Sequence, residues 1–403
     1  MTSPSFPAAT VARRVTYARA RLYLGITGVG SAVLAAFAVL RTDFPTQGFS
    51  SAANQPLAAA LVSIGLLGLF TTIAFLMFDL IGGAWLVRRR TWANVWLKRW
   101  ARGAAVQWCV WMVSAALLLV TARVTGVWAA VGAFAAIQLV LAATRGRMAR
   151  VVAALPVRPL PDALRTAAQR AGLNPARITV VDTDDEGFVG GWSGIRAREL
   201  IVPLQWTQLP EPALVAALTR RQLIATSGAH TRGVLGAIGW NTAGVAVVVA
   251  LSAWWGAPSL ATAAGIVTLI AGMTLWGFLG VLLLPTPSRA AVYAIDAAAV
   301  KLTGAPALRD AIERLDRWQD DEPTRSKQVE TIFHPVPARS GRLARLAKSD
   351  TPVAGATGPV SPLALHHLAR HALWLSWGAL TPLSRLVHCN VGRPELWVML
   401  PGD

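Results

Sequence analysis

The stretch ALVAALTRRQLIATSGAHT, residues 213–231, is an apolar helical pattern with two adjacent arginines, Arg220 and Arg221, at its centre. Gly228 predicts the end of this helix, because glycine readily adopts the left-handed conformation that follows many helices. Long apolar stretches lie before and after it in the sequence. The fold and the function of this part of the chain depend on the residues that surround the two arginines.

The sequence around this helix is much more apolar than that of a soluble domain. Of its 403 residues 54% are apolar and only 14% are charged, the mean hydropathy is +0.48, and soluble domains carry about 25% charged residues. A spanning helix needs about 20 mostly apolar residues. Six stretches qualify, at about 22–41, 57–87, 104–122, 125–144, 234–256 and 258–284. The sequence therefore predicts a mainly α-helical, polytopic membrane protein with about six transmembrane helices.

The net charge of +18, from 38 Lys and Arg against 20 Asp and Glu, comes largely from cations that flank these stretches. Cytoplasmic loops are rich in such cations. The N-terminal segment, 88–102 and 145–150 carry them, whereas 42–56 and 255–258 carry none. This alternation predicts both termini in the cytoplasm and an attraction to the anionic lipids of the inner leaflet. We therefore expect membrane lipids, and no nucleic acid, as partners of these charges.

The abundance of Ala, Arg, Trp and Val favours a GC-rich bacterial source, and hence the bacterial cytoplasmic (inner) membrane. The two cysteines, Cys109 and Cys389, are too few for a disulfide framework or a four-cysteine zinc site.

The segment WLVRRRTWANVWLKRW, residues 85–100, places Trp92, Trp96 and Trp100 at i, i+4 and i+8. Residues with this spacing share one face of a helix, and cations occupy much of the remainder. The pattern favours an interfacial amphipathic helix over 88–102 that lies on the inner leaflet. A charged loop with aromatic residues at the membrane surface is the alternative.

Several further stretches follow one another in a characteristic order. AAQRAGLNPARITVVD precedes EGFVGGWSGIRARELIVPLQW and LPEPALVAALTRRQLI; after two spanning stretches come SRAAVYAIDAAAVKLTGAPALRDAIERL and IFHPVPAR. Over about 155–345 this order resembles the HtpX-type and CAAX-prenyl-protease-type integral-membrane zinc metallopeptidases. The resemblance implies an edge strand beside a substrate cleft and a helix bearing His-Glu-x-x-His. It also implies a later helix with a glutamate ligand, followed four residues on by an aspartate.

The sequence is predicted to have five regions, of which the resemblance covers about 155–345. It implies a cytoplasmic α+β zincin-like domain with a small β-hairpin or sheet, whose halves are 151–233 and 285–348. Two transmembrane helices in 234–284 split this domain. Residues 1–150 form a four-helix membrane region. Residues 349–403 are a linker and a C-terminal amphipathic helix that lies on the membrane or packs on the spanning helices.

The positions that would carry the zinc chemistry hold other residues here. The two ligand histidines fall on Arg220 and Ile224, the general-base glutamate on Arg221, and the glutamate ligand on Val292. Zinc is bound by Cys, His or carboxylate groups, whereas arginine has no acceptor lone pair and stays protonated. The resemblance therefore implies the family's fold without its catalytic residues, and no cofactor is expected.

The aspartate of the family pattern is present as Asp296. Since an arginine buried alone is costly, we expect Asp296 to pair with Arg220 or Arg221 at the former metal position. The alternative is that both guanidinium groups reach solvent, as long charged side chains often do. The residues that the resemblance assigns to a binding cleft are Arg220, Arg221, Asp296, Arg289, Leu200 and Val202, the last two in the candidate edge strand RELIVPLQW (198–206).

A second candidate for metal chemistry is HHLARH, residues 366–371. His367 and His371 stand at i, i+4, a spacing that can share one metal. No acid lies nearby in the sequence to orient them, so a surface or interfacial histidine cluster is the favoured interpretation. Zinc would be a cofactor only if these residues formed a site.

Three functions are compatible with the sequence. The first is a non-catalytic membrane homologue of the peptidase that scaffolds, regulates or binds a peptide or membrane-protein partner, because an extended peptide can add to a strand edge. The second is an active membrane metalloendopeptidase with non-family ligands. The third is a structural subunit of a larger membrane complex.

Overall fold

The computed structural model describes residues 16–86, 93–319, 325–349, 360–361 and 363–400. Most of these residues are helical, and four short strands form one sheet. The helices are α1 Tyr17–Arg41, α2 Phe44–Gly48, α3 Leu57–Ala74, α4 Leu76–Leu80, α5 Ala93–Thr125, α6 Val127–Ala153, α7 Asp162–Arg170, α8 Glu211–Thr226, α9 Ala229–Trp254, α10 Ala263–Leu283, α11 Pro285–Thr303, α12 Ala305–Gln319, α13 Lys327–Phe333, α14 Arg339–Ser349, α15 Leu368–Leu375, α16 Leu383–Leu386 and α17 Pro394–Trp397. The strands are β1 Val157–Arg158, β2 Ile178–Val181, β3 Gly191–Ser193 and β4 Glu199–Pro203.

Six helical segments of the described chain are long and apolar enough to cross a membrane, which confirms the predicted polytopic fold. They are Tyr17–Arg41, Leu57–Trp85, Asn94–Thr125, Val127–Ala153, Ala229–Trp254 and Ala263–Leu283. Large apolar side chains cover their outer faces: Leu34, Phe70 and Trp254 are 71%, 69% and 78% exposed. Such exposure is expected where the surrounding solvent is lipid. The chain is therefore an integral membrane protein.

The second spanning segment is irregular where it meets the C-terminal part of the chain. The α-helix is interrupted at Phe75, and Ile81–Trp85 forms a π-helical turn. A side chain at Gly82 or Gly83 would collide with the backbone of Val391 or Gly392. Glycine is required there because two backbones approach closely. This contact fixes the end of the segment against the C-terminus.

The four strands form a mixed sheet in the order β1-β2-β4-β3. Strand β4 pairs with β2 in parallel and with β3 antiparallel, so both of its edges are bonded. The prediction that 198–206 provides an edge strand is therefore wrong. Leu200 and Val202 are fully buried in the core of the sheet. The physical reason is visible in LIVP, residues 200–203, a continuous apolar run of the kind that central strands carry.

The two predicted halves of the zincin-like domain, 151–233 and 285–348, share one hydrophobic core. This core joins the sheet, α7 and α8 from before the last two spanning helices to α11, α12 and α14 from after them. Helix α8 leads directly into α9, with Gly228 at a φ of +71° between them. A residue with a side chain rarely adopts this conformation, so Gly228 turns the chain from the core into the spanning region, as its position predicts.

The C-terminal segment 363–400 is packed inside the protein and is not an amphipathic helix on the membrane. Helix α15 has only eight residues and continues into the 3₁₀ turn Ser376–Ala379. Trp374, Trp377 and Trp397 are completely buried, in a core that includes residues of α1, α6 and α9. Of the two predicted placements, packing on the spanning helices is the one observed.

Two of the three tryptophans predicted to lie on the lipid surface, Trp96 and Trp100, instead face this C-terminal segment. Trp96 and Trp100 belong to α5, the start of a spanning helix, and Trp92 lies outside the described residues. Trp96 is buried and donates through Nε1 to the carbonyl of Gly392 at 2.8 Å. The interfacial placement is therefore wrong for these two residues: the i, i+4 spacing marks a face that packs on protein.

Candidate functional site

Helix α8 carries its two arginines on the side that packs against α11, in the core that the sheet shares with α7, α8, α11, α12 and α14. The two helices pack side by side, and nine of the sixteen residues of α8 are buried, including Arg220 and Arg221. Their exposed fractions are 3% and 1%. The alternative that the arginines reach solvent is therefore wrong. The packing leaves their charges to be balanced inside the protein.

Asp296 joins two arginines from different helices. The Arg220 Nε donates to Asp296 Oδ1 at 2.5 Å, which is the predicted contact between α8 and α11. From α14, Arg342 donates through Nε to Oδ2 at 2.8 Å and through a terminal nitrogen to Oδ1 at 2.9 Å. This bidentate geometry is the strong form of the arginine–carboxylate pair. We call Arg220, Asp296 and Arg342 the arginine–aspartate bridge.

The electrostatics of the bridge are those of a buried, shared carboxylate. Burial alone would raise the pKa of Asp296, but the charges of Arg220 and Arg342 hold it below its ordinary value. Burial lowers the pKa of Arg220 to about 10, against the opposing effect of Asp296. Asp296 and Arg220 therefore both remain charged at neutral pH.

The other positions at which the resemblance implies a metal ligand or the base hold Arg221, Ile224 and Val292. We call these three positions and Arg220 the metal frame. The Arg221 guanidinium lies 5.6 Å from the Trp206 ring centroid, and its backbone carbonyl accepts the Trp192 indole N–H at 2.7 Å. Ile224 and Val292 are fully buried. Among the residues that the structure describes, no group of three His, Cys, Asp or Glu side chains is arranged to hold a metal. The frame thus contains cations and hydrocarbon where a zinc site needs electron-pair donors.

The histidines form a buried cluster next to the bridge. His366, His367 and His371 are completely buried, so the predicted surface or interfacial location is wrong. The ring of His371 lies 5.2 Å from that of His230, and its Nδ1 contacts the guanidinium of Arg145. The segment that carries these histidines is drawn into the core by the apolar residues around them.

Burial and neighbouring cations keep three of these histidines neutral. Burial is the largest cause that holds the pKa of His366, His367 and His371 well below the ordinary value. The charge of Arg220 adds to this for His366, and that of Arg145 for His371. Neutral imidazole can accept or donate a hydrogen bond, so the cluster adds polar groups without further charge.

Arg289 does not face the bridge. Its terminal nitrogen donates to the carbonyls of Glu330 and His334, at 2.7 and 2.9 Å. These carbonyls belong to the last turn of α13 and its C-terminal cap. A cation at this end satisfies carbonyls that lack helical partners. Arg289 therefore fixes α13, and the prediction that it lines the same cleft as Asp296 is wrong.

Sequence reasoning missed Arg342 and His230 as neighbours of the site. Arg342 carries a readable signal, since Ala338, Arg342 and Leu346 follow at i, i+4 and i+8 and all three are buried. Their spacing marks one face of α14. His230 lies at the start of a spanning helix, where its Nε2 donates to the Gly194 carbonyl at 2.7 Å. No pattern of neighbouring residues in the sequence predicts that long-range contact.

A cavity of about 330 Å³ lies between α1, the end of α10 and the C-terminal segment. We call it the α1–α10 cavity. Its apolar lining includes Leu22, Ile26, Val29, Phe278, Val281, Leu282 and Leu373, and its polar lining includes Arg21, Arg325, His334, Arg370, His388, Arg393 and Glu395. No sequence pattern predicts this cavity, because its walls come from five distant parts of the chain.

The charges in the wall of this cavity are partly paired. Arg393 donates through Nε to Asp185 at 2.7 Å, and Arg99 lies 3.3 Å from Glu395. Burial, followed by the charge of Asp185, raises the pKa of Glu395 to about 7. At and below neutral pH the polar end of the cavity is therefore predominantly cationic.

Comparisons with known proteins concern the fold. The sequence matches no family model and no curated protein. Among solved structures, Ste24p from S. mikatae superimposes with a TM-score of 0.63 at 14% sequence identity, over 82% of this chain and 86% of that chain. The polytopic helical architecture with its small mixed sheet is therefore the fold of Ste24p.

Proposed function

We propose that the chain is a non-catalytic membrane protein built on the fold of a membrane zinc metallopeptidase, and that it binds a membrane-protein partner. The arginine–aspartate bridge carries the first part of this proposal. Its Arg220 fills the position where the peptidases that the sequence resembles need a first ligand, Arg221 beside it fills the position of the base, and arginine supplies neither. The Ste24p fold and the sequence resemblance to HtpX-type and CAAX-prenyl-protease-type enzymes support the same origin.

The α1–α10 cavity supports the second part. An edge strand for peptide addition is not offered by β4, which is paired on both sides. The cavity instead combines an apolar wall from spanning helices with arginines at its polar end. Such a surface suits the end of a partner's spanning segment that carries acidic residues, because apolar area and opposite charge are both matched. The partner's place is thus proposed between α1 and α10.

Two other functions make different predictions. An active metalloendopeptidase with non-family ligands would draw them from the buried histidines His230, His366, His367 and His371. A structural subunit would contact its neighbours through the lipid-facing surfaces of the spanning helices and would leave the α1–α10 cavity unused. Metal content separates the enzyme from the other two, and a substitution in the cavity separates a partner-binding protein from a structural subunit.

Purified protein is expected to carry less than stoichiometric zinc and to show no chelator-sensitive cleavage of an unfolded protein substrate. The reason is that the metal frame holds Arg220, Arg221, Ile224 and Val292. Elemental analysis and a protease assay provide the measurement. One zinc per chain, together with cleavage that is lost on chelation, would overturn the non-catalytic proposal.

A matched control introduces the zinc-ligand and base residues of the family pattern into the same chain. The variant Arg220→His, Arg221→Glu, Ile224→His and Val292→Glu contains the three ligands and the base of a His-Glu-x-x-His site. We expect it to retain about one zinc per chain under conditions in which the natural sequence retains none. This comparison shows that the assay detects a zinc site on this scaffold.

Filling the α1–α10 cavity is expected to abolish partner recovery. Gly30 lines the cavity, and a Cβ added there meets no atom within 4 Å, so Gly30→Trp adds a large side chain to the cavity wall without a collision at Cβ. Gly132 of α6 is equally open but does not line the cavity, which makes Gly132→Trp the control. Quantitative mass spectrometry after mild detergent extraction should show partner loss only for Gly30→Trp. Equal recovery with both variants favours the structural subunit.

A further inference from the structure

Arg21 is a buried arginine in the wall of the α1–α10 cavity. It lies near the start of α1, immediately before the apolar stretch 22–41. A long cationic side chain at such a boundary usually extends to water or to lipid headgroups. Only 4% of Arg21 is exposed, so its guanidinium group is held inside the protein, next to the apolar lining that α1 and α10 provide.

The hydrogen bonds of Arg21 go to neutral acceptors. Its Nη1 donates to the backbone carbonyls of Gly82 and Leu86, at 2.8 and 2.7 Å, and lies 3.3 Å from the Tyr17 hydroxyl oxygen. Its Nη2 donates to the carbonyl of Val391 at 2.8 Å. Its Nε is buried and has no acceptor in the part of the chain that the structure describes. A buried N–H without an acceptor is costly, and a further acceptor would remove that cost.

The nearby charges do not neutralise Arg21. Among the described residues no carboxylate forms an ion pair with it, and Asp185 is the acid whose charge reaches it. Both oxygens of Asp185 bind Arg393, one of them at 2.7 Å from the Arg393 Nε. Arg393 repels Arg21 more strongly than Asp185 attracts it. The pair of Arg393 and Asp185 therefore leaves room for a negative charge beside Arg21.

The edge of the guanidinium group formed by Nε and Nη2 is the one with which this chain holds buried carboxylates elsewhere. Arg393 uses this edge to bind Asp185, and Arg342 uses it to bind Asp296. On Arg21 the Nε has no acceptor and the Nη2 has one neutral acceptor. Since a carboxylate accepts hydrogen bonds from two neighbouring N–H groups, this edge of Arg21 suits one further carboxylate.

We propose that Arg21 recognises the side-chain carboxylate of a glutamate or aspartate within the partner's spanning segment. This inference rests on the proposed function, in which the end of that segment enters the α1–α10 cavity, and it names the residue that selects the partner. An acidic side chain within a spanning segment is costly in lipid, so pairing with a buried guanidinium group favours the complex over the free segment. A segment with an amide or an apolar residue at the same place gains no ion pair.

A lipid phosphate is the other anion that a membrane offers. It brings a glycerol backbone and acyl chains with it, whereas a side-chain carboxylate brings only two oxygens to a guanidinium group that is almost completely enclosed. The enclosure of Arg21 therefore favours a side-chain carboxylate.

Two synthetic spanning peptides test the inference on the full chain in phosphatidylcholine vesicles. Both are leucine–alanine segments of about 20 residues, with either one glutamate or one glutamine a single turn from the same end. Fluorescence energy transfer from the tryptophans of the protein to a dansyl group on the peptide measures association at pH 8. We expect the glutamate peptide to bind at least about tenfold more tightly, because only the carboxylate makes a charge-assisted pair with Arg21.

Two variants assign the preference to Arg21. In Arg21→Gln the glutamate peptide should bind no more tightly than the glutamine peptide. In Arg41→Gln, which removes an exposed arginine at the other end of α1, the preference should be unchanged. A preference that persists in Arg21→Gln overturns the inference. The comparison of the two peptides on the natural sequence decides the matter even if Arg21→Gln does not fold.

The natural sequence can contradict the inference in three ways. Both peptides bind equally, neither binds, or the preference disappears when phosphatidylglycerol replaces part of the phosphatidylcholine, which would assign Arg21 to lipid headgroups. Failure of the proposed function is read separately, from Gly30→Trp. Equal binding of both peptides that is lost in Gly30→Trp leaves a partner site in the α1–α10 cavity and removes Arg21 from it. Binding that Gly30→Trp leaves unchanged removes the cavity as well.

Discussion

Asp296→Asn is expected to destabilise the folded protein by about 3–5 kcal/mol, because it leaves two buried arginines without their shared counter-ion. Arg220 and Arg342 are 3% and 6% exposed, so water cannot solvate their charges in place of the carboxylate. In a chain of 403 residues about 1–2 °C accompanies each kcal/mol, because the entropy of unfolding grows with chain length. The thermal midpoint, followed by tryptophan fluorescence in detergent micelles, should therefore fall by roughly 3–10 °C.

The pH dependence of this effect has a definite sign. The pKa of Asp296 is lowered in the folded protein, burial notwithstanding, by the charges of Arg220 and Arg342. A lowered folded pKa means that the ionised carboxylate stabilises the fold above its unfolded pKa of about 3.9. That stabilisation is lost as the pH falls through the folded pKa. The difference between Asp296→Asn and the natural sequence should be constant from about pH 5 to 8 and shrink below about pH 4.

An exposed pair of the same chemistry provides the control. Arg158 lies 2.8 Å from Asp182, with 51% and 41% of the two side chains exposed. Exposed ion pairs contribute about 0–1 kcal/mol, so Asp182→Asn should change the midpoint by no more than a few degrees. If Asp296→Asn and Asp182→Asn melt together, the bridge does not hold α8, α11 and α14 in place.

Of the two arginines that contact Asp296, the sequence predicted Arg220 but not Arg342. Arg220 and Asp296 stand at positions whose spacing is set by a family pattern, so the sequence placed them opposite each other. Arg342 comes from a stretch, ARSGRLARLAKSD, that also suits a solvated basic helix. Only the burial of Ala338 and Leu346 on the same face brings Arg342 inward, and that burial depends on α12, which packs against α14.

The misplaced strand shows the limit of a family pattern. The resemblance places an edge strand at RELIVPLQW, while its middle residues, LIVP at 200–203, form the apolar run of a central strand. Strand β3 takes the outer position, and its three residues are all buried. Local composition was the better guide here, because a strand with both faces and both edges covered needs apolar residues at every position.

The spanning helices were predictable from composition, whereas the C-terminal segment that packs among them was not. Length and hydropathy suffice to identify a membrane helix. The helices of the C-terminal segment 363–400 are too short to span, and its tryptophans are equally typical of a membrane surface. Its burial depends on contacts with residues about 300 positions earlier, such as Arg385 with Asp79. Patterns of neighbouring residues do not contain that information.

Breaking the contact between Arg385 and Asp79 is expected to release this segment. The pair is completely buried, with Arg385 Nε 2.8 Å from Asp79 Oδ2. Asp79 also accepts the Trp100 indole N–H at 2.9 Å and the Gly392 backbone N–H at 3.0 Å. It thus ties α5 and two parts of the C-terminal segment to α4. Asp79→Ala leaves a buried cation without its counter-ion and two donors, the Trp100 indole and the Gly392 amide, without their acceptor, which should cost about 3–5 kcal/mol or more.

A double-mutant cycle distinguishes this specific pair from general damage to the core. Arg385→Met keeps most of the buried volume and removes the charge, so Asp79 retains two donors and the loss should be smaller than for Asp79→Ala. The double variant contains no unpaired charge, and we expect it to be more stable than Asp79→Ala alone, with a coupling energy of about 3 kcal/mol. The thermal midpoints of all four proteins give the coupling. Additive losses would mean that the C-terminal segment is held by its tryptophans, with Asp79 and Arg385 as independent contributors to the same core.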